Sequence, residues 1–399
     1  MYRDLESNRA GAGVSGTITA MPTRTGKAPP TTRKPAKAKA RSKVKARSKV
    51  KARPAAKAKV AATAKPAPID TDAIRIVRAG ADGVEVGGFA ALTIVGRHRD
   101  QLIVTCPILE RTAALDLGAT PSIRPLADAF AQACGSADDG RLVLLLGLRS
   151  AARHVRVYPP SLDAAAATEL ALGKKPLEFA AVGFVDGRVL AVPGYLGTHR
   201  RYGHVHAAVP HVEDGGALRP VTGLVRDDGG PVPDLTGFAR CGDGATLIVW
   251  GGRGFRWTGD GLTRVPEVEL ATSHTNAGLT TAPAGRGCFV VSGRALTEVA
   301  IGAAPRVHFD GQACRLVRPG PDGRLLVEVI PDDGPPGLAL YDPARGVAGA
   351  VAVPDDVYPM TAQYVPARGA VSMLARTSAG TAGHRIAFVP IAAARARLR

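Results

Sequence analysis

One short pattern recurs along this chain: a turn dipeptide followed by a run of strand-forming residues. Its clearest copy is DGRLLVEV, at Asp322–Val329. The same turn position is occupied in the successive copies by Gln101, Gly140, Gly187, Gly244, Gly287, Gly323 and Gly369. The steps between these markers are 39, 47, 57, 43, 36 and 46 residues. Their mean is about 45, which is the length of one four-stranded propeller blade.

The repeat predicts an all-β fold, a seven-bladed β-propeller at residues 69–399. Asp-Gly between two apolar runs is a hairpin signal because both residues tolerate positive φ. A four-stranded unit cannot bury both of its faces alone, whereas seven units in a ring bury both faces of every blade. A ring of six or eight blades and a pair of β-sandwiches are the alternatives, since the 57-residue step contains the insertion RDDGGPVPD at Arg226.

Each repeat is predicted to place a short inner strand before the turn, the strongest strand after it, and a third strand beyond the next loop. The third strands are predicted to begin at Arg111, His154, His204, Gly254, Ala295, Gly337 and Arg385. The segment Ala73–Ala79 alternates like a strand. We expect it to join the first or the last blade and to help close the ring.

The period and strand order resemble those of the WD-repeat and kelch-like propeller families. The signatures of those families are missing, because no recurring G-H…W-D pair occurs and the two tryptophans are Trp250 and Trp257. The resemblance therefore implies a fold, and it supplies no catalytic residues to carry over.

The net charge of +18 is concentrated at one end of the chain. Residues 1–68 hold 18 Lys/Arg and two acids, Asp4 and Glu6, a net charge of +16. Residues 69–399 hold the other 34 Lys/Arg and 32 Asp/Glu, a net charge of +2. Since the high pI belongs to the first segment, it indicates a basic tail attached to a nearly neutral body.

The tail, residues 1–68, is predicted to be disordered and rich in Lys, Ala and Pro. A six-residue repeat begins at Lys37 (KAKARS), continues at Lys43 (KVKARS) and Lys49 (KVKARP), and degenerates at Ala55 (AAKAKV). This composition resembles the tails of linker histones and of bacterial histone-like proteins. Like charges and the lack of apolar residues for a core disfavour folding in isolation. The start of the natural chain could be Met1 or Met21.

The resemblance implies non-specific binding of DNA or RNA, with each cation displacing a counterion from phosphate. Aromatic residues are missing from the repeat, so base stacking is not expected. A solubilising linker is the alternative, and a membrane-surface role lacks an apolar anchor. The residues predicted to contact nucleic acid are Lys34, Lys37, Lys39, Arg41, Lys43, Lys45, Arg47, Lys49, Lys51, Arg53, Lys57 and Lys59.

Five widely spaced cysteines without a C-x-x-C pair predict buried free thiols: Cys106, Cys134, Cys241, Cys288 and Cys314. The first 21 residues lack the apolar core of a secretory signal, and no run of the sequence is long and apolar enough to span a membrane. These patterns predict a cytoplasmic, nucleoid-associated protein.

The loops that join the second and third strands are rich in arginine, whereas the turns between the first and second strands carry aspartates. This difference predicts one basic and one acidic face of the ring, the basic face attracting an anionic ligand or an acidic protein. The alternative is that turns simply favour Asp. The residues predicted to form the ligand face are Arg149, Arg153, Tyr195, His199, Arg200, Arg201, Arg253, Arg294 and Arg376.

A histidine group, His199, His204, His206 and His211, lies near Glu213. Imidazoles with a carboxylate can hold zinc, but this spacing matches no zinc pattern, so a partner-recognition loop is favoured. His204 and His206 remain weak metal candidates, and no cofactor is predicted.

His98-Arg99-Asp100 matches a kinase tripeptide, but Thr105 stands where the required Asn would be. We therefore expect an interaction scaffold held on nucleic acid by its tail, binding a protein or an anionic ligand on the propeller. A propeller hydrolase or lyase with a polar site in the central channel is the alternative.

Overall fold

The structure is a computed structural model, and we describe its residues 74–399 except 89–90, 148–152, 173–176, 194–204, 207–208, 222–236, 259–260, 271–278, 286, 293, 310–312, 331–335, 376–382, 392–396 and 399. The described residues belong to one compact unit, Lys65–Arg399. The predicted tail and its nucleic-acid contacts lie outside them and stay predictions.

Within the described ranges, 31 strands form seven sheets of four or five strands, so the predicted seven-bladed propeller is confirmed. Two strands precede the first complete blade: β1 (Arg75–Gly80) and β2 (Gly83–Gly87). Blade 1 consists of β3 (Thr93–His98), β4 (Gln101–Cys106), β5 (Arg111–Asp116) and β6 (Ser122–Ala127). Blade 2 consists of β7 (Phe130–Ser136), β8 (Leu142–Gly147), β9 (Arg153–Tyr158) and β10 (Thr168–Leu170).

The strands of the next three blades are given in chain order. Blade 3 consists of β11 (Leu177–Val185), β12 (Arg188–Pro193), β13 (Val205–His206), β14 (His211–Asp214) and β15 (Ala217–Pro220). Blade 4 consists of β16 (Gly237–Arg240), β17 (Thr246–Trp250), β18 (Arg253–Trp257) and β19 (Leu262–Glu269). Blade 5 consists of β20 (Thr281–Ala284), β21 (Gly287–Ser292), β22 (Ala295–Ala300) and β23 (Arg306–His308).

Strands from both ends of the chain complete the last two blades. Blade 6 consists of β24 (Ala313–Pro319), β25 (Leu325–Ile330), β26 (Gly337–Asp342), β27 (Val347–Val351) and β31 (Arg397–Leu398). Blade 7 consists of β28 (Val357–Val365), β29 (Ala370–Ala375), β30 (Gly383–Pro390) and the early strands β2 and β1. Short 3₁₀ turns in the described part of the chain include Ala164–Ala166, Pro321–Gly323 and Pro366–Arg368.

The ring closes by pairing the first strands of the propeller with the last ones. Strand β2 lies between β1 and β30, and Gly83–Gly87 pairs residue by residue with Gly383–Ala387. The prediction that Ala73–Ala79 joins the last or first blade is therefore confirmed. Unfolding either terminal segment must break this sheet, so the pairing holds the circle shut.

The core is divided among the junctions between blades. Seven hydrophobic clusters are present in the described part of the chain, and each draws its side chains from two consecutive blades. One of them joins Val84 of β2 and Ile386 of β30 to Leu102 and Leu115 of blade 1. Because this cluster connects blade 7 to blade 1, the packing itself is circular.

The turn chemistry behaves as predicted. Asp186 and Gly187 have φ values of 46° and 72°, and Asp322 and Gly323 have φ values of 53° and 72°. Both residues of each turn occupy the left-handed region that Asp and Gly tolerate best. The Asp-Gly pairs therefore make the tight hairpins that separate the first and second strands of blades 3 and 6.

One strand assignment is wrong. The third strand of blade 3 was predicted to begin at His204, but β14, which begins at His211, pairs with β12. Val205–His206 instead forms β13, which pairs in parallel with β11 on the axis side of the sheet. Both segments alternate like strands, so alternation alone could not tell which one continues the sheet.

All five cysteines are free, as predicted. Four are buried, whereas Cys134 is partly exposed. None of the helical turns in the described residues has the length and apolar character that crossing a membrane requires.

Candidate functional site

A cavity of about 850 Å³ occupies the centre of the ring. Its wall is built mainly from the inner strands β3, β7, β11, β16, β20 and β24, together with the hairpin turns of blades 2, 3 and 4. Six blades therefore contribute to one space, which is the central channel of the propeller. A concave site of this size and mixed polarity is typical of small-molecule binding.

Glycines on the inner strands let the blades approach one another at the channel wall. A Cβ on Gly135 would lie 2.7 Å from both Gly183 Cα and Val182 O. A Cβ on Gly183 would lie 2.9 Å from the ring of Phe238. Since real Cβ atoms do not approach so closely, these positions need glycine for packing, and Phe238 can then form part of the wall.

Ion pairs and backbone contacts link the hairpin turns at the channel mouth. Asp138 of blade 2 pairs with Arg240 of blade 4. Asp139 lies 2.8 Å from Arg141, whose Nη2 donates to Gly187 O at 2.7 Å in blade 3. The Arg141 backbone N–H is the main cause that lowers the pKa of Asp139. The aspartates of this face are thus accompanied by arginines, so the predicted acidic face is not purely acidic.

Arg318 extends into the channel from β24. It is partly exposed and lines the cavity together with Cys134 of β7. Its Nη1 donates to Val317 O at 3.3 Å, and it has no carboxylate partner among the described residues. Burial lowers the pKa of Arg318 to about 10, and burial raises the pKa of Cys134 to about 12. At neutral pH the guanidinium is therefore charged and its thiol neighbour is not.

A serine and a histidine meet at the edge of the same cavity. Ser136, an exposed residue of the lining, has its Oγ 2.9 Å from Nδ1 of His98. His98 is 1% exposed, and its Nε2 has no partner in the part of the chain described above. Burial, reinforced by the charge of Arg99, lowers the pKa of His98. The imidazole is therefore neutral at pH 7 and can accept a proton from the serine hydroxyl.

The residues predicted to form a ligand face are mostly outside the described ranges: Arg149, Tyr195, His199, Arg200, Arg201 and Arg376. Arg153 begins β9, where its backbone pairs with Gly147 of β8. Arg253 begins β18 and lies 3.8 Å from Glu269, and Arg294 is exposed with a φ of 74°. Neither Arg253 nor Arg294 lines the central cavity. Convergence of the whole set stays a prediction.

The histidine group is divided. His204 lies outside the described residues, and His206 is described only as part of β13. His211 is buried, its Nδ1 lies 2.9 Å from Val209 O, and burial lowers its pKa. Glu213 accepts a hydrogen bond from Val189 N at 3.0 Å. The last two side chains therefore serve the packing of blade 3. Among the described residues, no three His, Cys, Asp or Glu side chains gather in a way that could hold a metal ion.

Sequence reasoning missed Arg318, Ser136 and His98 as site residues. Ser136 and Arg318 lie on inner strands, where alternate residues face the channel, and this alternation was the available signal. His98 was considered only in a kinase motif. Its contact with Ser136 joins positions 38 residues apart in different blades, which spacing along the chain does not reveal.

No protein-family model matches the chain, and no curated protein matches it. Among solved structures, the chain is similar to virginiamycin B lyase from Staphylococcus aureus at 10% identity, covering 79% of this chain and 98% of that chain with a TM-score of 0.49. It is also similar to a streptogramin B lyase at 9% identity, covering 79% and 96% with a TM-score of 0.47. Neither likeness assigns a substrate or a catalytic residue to this chain.

Proposed function

We propose that the protein is a propeller binding module that its cationic N-terminal segment, residues 22–68, attaches to nucleic acid. The observation that carries this proposal is the division of charge. Residues 1–68 hold +16 of the net +18, and the remaining 331 residues are nearly neutral. A segment of this composition binds phosphate backbones through counterion release and does not discriminate between sequences. DNA and RNA are both suitable partners.

In this proposal the propeller supplies a ring with a central cavity for a ligand, and the tail attaches the protein to nucleic acid. Because each blade packs only on its neighbours, a cationic segment can be attached at one end without disturbing the core. The chain would hold whatever the propeller binds close to a nucleic acid. This arrangement raises the local concentration of that ligand without any contact between the propeller and the bases.

The test is a full-length variant in which the twelve predicted contact residues between Lys34 and Lys59 are replaced by glutamine. Fluorescence anisotropy with a labelled 20-base-pair duplex gives the affinity. We expect the wild-type affinity to fall about a thousandfold between 50 and 200 mM salt and the variant to lose most of its low-salt binding.

A scrambled tail of identical composition is the matched control, and we expect it to bind like the wild type because the contacts are non-specific. Equal affinities of the glutamine variant and the wild type at low salt would reject the attachment proposal. A strong preference of the wild type for one duplex sequence would also contradict it.

A second candidate function is that of a hydrolase whose nucleophile is Ser136. The observation that favours it is the 2.9 Å contact between Ser136 Oγ at the cavity edge and the buried ring of His98. A hydroxyl held against a neutral imidazole is the arrangement from which nucleophilic catalysis starts. A carboxylate that would orient His98 is missing among the described residues, since Nε2 has no partner there.

A fluorophosphonate probe separates this candidate from a binding module, because the probe labels only activated serines. If Ser136 is a nucleophile, the wild type will be labelled and both Ser136→Ala and His98→Gln will lose the label. Wild-type protein that stays unlabelled, or a label that survives in Ser136→Ala, would rule out this chemistry.

A further inference from the structure

Arg318 is a cation that the propeller places at its own axis. It is the penultimate residue of the inner strand β24, and its side chain lies in the cavity wall rather than on the outer surface. One of its N–H groups is used by the neighbouring Val317 carbonyl. A guanidinium has five N–H donors, so most of its donor capacity is left for the channel.

The nearby carboxylates do not neutralise this charge. Three carboxylates line the same cavity: Asp138 pairs with Arg240, Asp139 pairs with Arg141, and Asp186 lies in the hairpin turn of blade 3 without an ion pair to Arg318 among the described residues. The group whose charge acts on Arg318 is the Cys134 thiol, and burial raises the pKa of that thiol to about 12. Within the described ranges, the charge of Arg318 is therefore not balanced by a carboxylate in contact with it.

An unmatched charge in a partly desolvated cavity is costly, and proteins keep one where it has a use. A guanidinium in a partly desolvated cavity recognises carboxylate and phosphate groups through paired N–H donors. The low local dielectric strengthens that attraction compared with the same pair in water. The charge balance at this position thus favours an anion as the occupant.

The rest of the wall suits an anion that has an apolar or aromatic body. Phe238 and Trp257 both line the cavity, and Trp257 Nε1 has no acceptor among the residues that the structure describes. Arg256 adds a second cation to the lining. The volume of about 850 Å³ is large enough for a molecule of cofactor size.

We propose that the central channel binds a small organic anion, with a carboxylate or phosphate group paired to Arg318 and an apolar body against Phe238 and Trp257. This site is independent of the nucleic-acid attachment, because it lies in the propeller and the attachment lies in the tail. It is also distinct from the loop face predicted from the sequence, whose described members Arg253 and Arg294 do not line the cavity.

The test uses the full-length protein with benzoate and phenyl phosphate as probes, at a fixed ionic strength, by isothermal titration calorimetry. The variants are Arg318→Met, which keeps the bulk without the charge, and Arg318→Lys, which keeps the charge without the fork. Arg345→Met is the matched control, since Arg345 is an exposed arginine of the same blade outside the cavity. Any binding of a probe to the tail is common to all four proteins.

We expect the wild type and Arg345→Met to bind at least one probe equally well. We expect Arg318→Met to bind it at least tenfold more weakly and Arg318→Lys to be intermediate. The two probes distinguish a carboxylate ligand from a phosphate ester. Without a probe, Arg318→Met should unfold at the same temperature as the wild type or at a higher one, because an unmatched charge has been removed.

Three results would overturn the proposal. The first is that the wild type binds neither probe, and the second is that Arg318→Met binds as well as the wild type. The third is that Arg318→Met unfolds at a lower temperature or fails to fold, because the fold itself would then need the guanidinium. Loss of duplex binding by the glutamine tail variant with retention of probe binding would separate this site from the attachment proposal.

Discussion

Two arginines of one strand, Arg315 and Arg318 of β24, have opposite environments. Arg315 donates to both carboxylate oxygens of Glu328, at 3.1 and 2.5 Å, and Glu328 is completely buried. Arg318, three residues further on, lies in the channel, and its hydrogen-bond acceptor among the described residues is a backbone carbonyl. Arg315 thus forms an ion pair with a buried carboxylate, whereas Arg318 leaves most of its N–H donors facing the channel.

The contrast extends to the histidines. His308, at the junction of blades 5 and 6, has its Nδ1 2.8 Å from the Tyr341 hydroxyl and its Nε2 3.1 Å from Glu298 Oε2. His98, beside the channel, uses Nδ1, and its Nε2 has no partner within the ranges that the structure describes. Buried polar groups are normally satisfied, so an unsatisfied one is informative. The fully paired His308 lies between blades, and the incompletely paired His98 lies beside the channel. Incomplete pairing is not confined to the channel, because Trp250 Nε1 in the core between blades 3 and 4 also has no partner among the described residues.

Among substitutions that test the contrast between Arg315 and Arg318, we expect Arg315→Met to cause the largest loss in the free energy of unfolding. Removing Arg315 leaves the carboxylate of Glu328 buried without its cation, and breaking such a pair typically costs 3–5 kcal/mol. Because Arg315 itself is partly exposed, we expect a loss of about 3 kcal/mol in the free energy of unfolding. Urea titration measures it as a shift of the midpoint. The same substitution at Arg318 is expected to cause no loss.

Two further variants control this experiment. Arg345→Met removes an exposed arginine 3.6 Å from Asp342, and such surface pairs contribute about 0.5 kcal/mol or less. The double variant Arg315→Met/Glu328→Leu should recover most of the lost stability, because both charges are gone. If Arg315→Met and Arg345→Met shifted the midpoint equally, the distinction between paired and unpaired regions would be wrong.

Much of the fold could be predicted from the sequence, because it depends on local chemistry that repeats. Asp186-Gly187 and Asp322-Gly323 each form a hairpin for reasons contained in two residues. Four of the seven marker turns are Asp-Gly pairs, and seven turns spaced about 45 residues apart leave a ring as the simplest way to bury both faces of every sheet. The outer strand of the closing blade was predicted as well, because Ala73–Ala79 alternates and β1 (Arg75–Gly80) joins blade 7, whereas β2, which pairs directly with β30, was not predicted.

The site could not be predicted in the same way. Whether Arg315 or Arg318 faces the channel depends on the register of β24 with β25, which shifts between Cys314 and Leu316. A one-residue shift moves each following side chain to the other face. The channel lining further requires knowing that residues of six blades meet at the axis, and pairs such as Ser136 and His98 come from different blades. The spacing of residues along the chain does not show which residues of different blades come into contact.

A smaller effect concerns pH and the buried histidines. Burial lowers the pKa of His98 and of His211 below the ordinary value of 6.5. Below pH 6.5 the unfolded chain therefore binds protons that the folded chain does not, and stability falls as the pH falls. Above pH 6.5 both states are neutral at these positions, and the contribution disappears. We expect the two histidines together to cost about 1 kcal/mol at pH 5.5 relative to pH 7.5.

The double variant His98→Gln/His211→Gln tests this assignment through the difference in urea midpoint between pH 7.5 and pH 5.5. The variant will be less stable than the wild type at pH 7.5, because it loses the contacts of both rings with Ser136 and Val209. Its stability should nevertheless change less with pH, since glutamine does not titrate. The pH difference, rather than the absolute stability, is what separates a neutral buried imidazole from a merely well-packed one. A variant that loses as much stability as the wild type on acidification would show that other groups carry the acid sensitivity and that His98 is not kept neutral beside the channel.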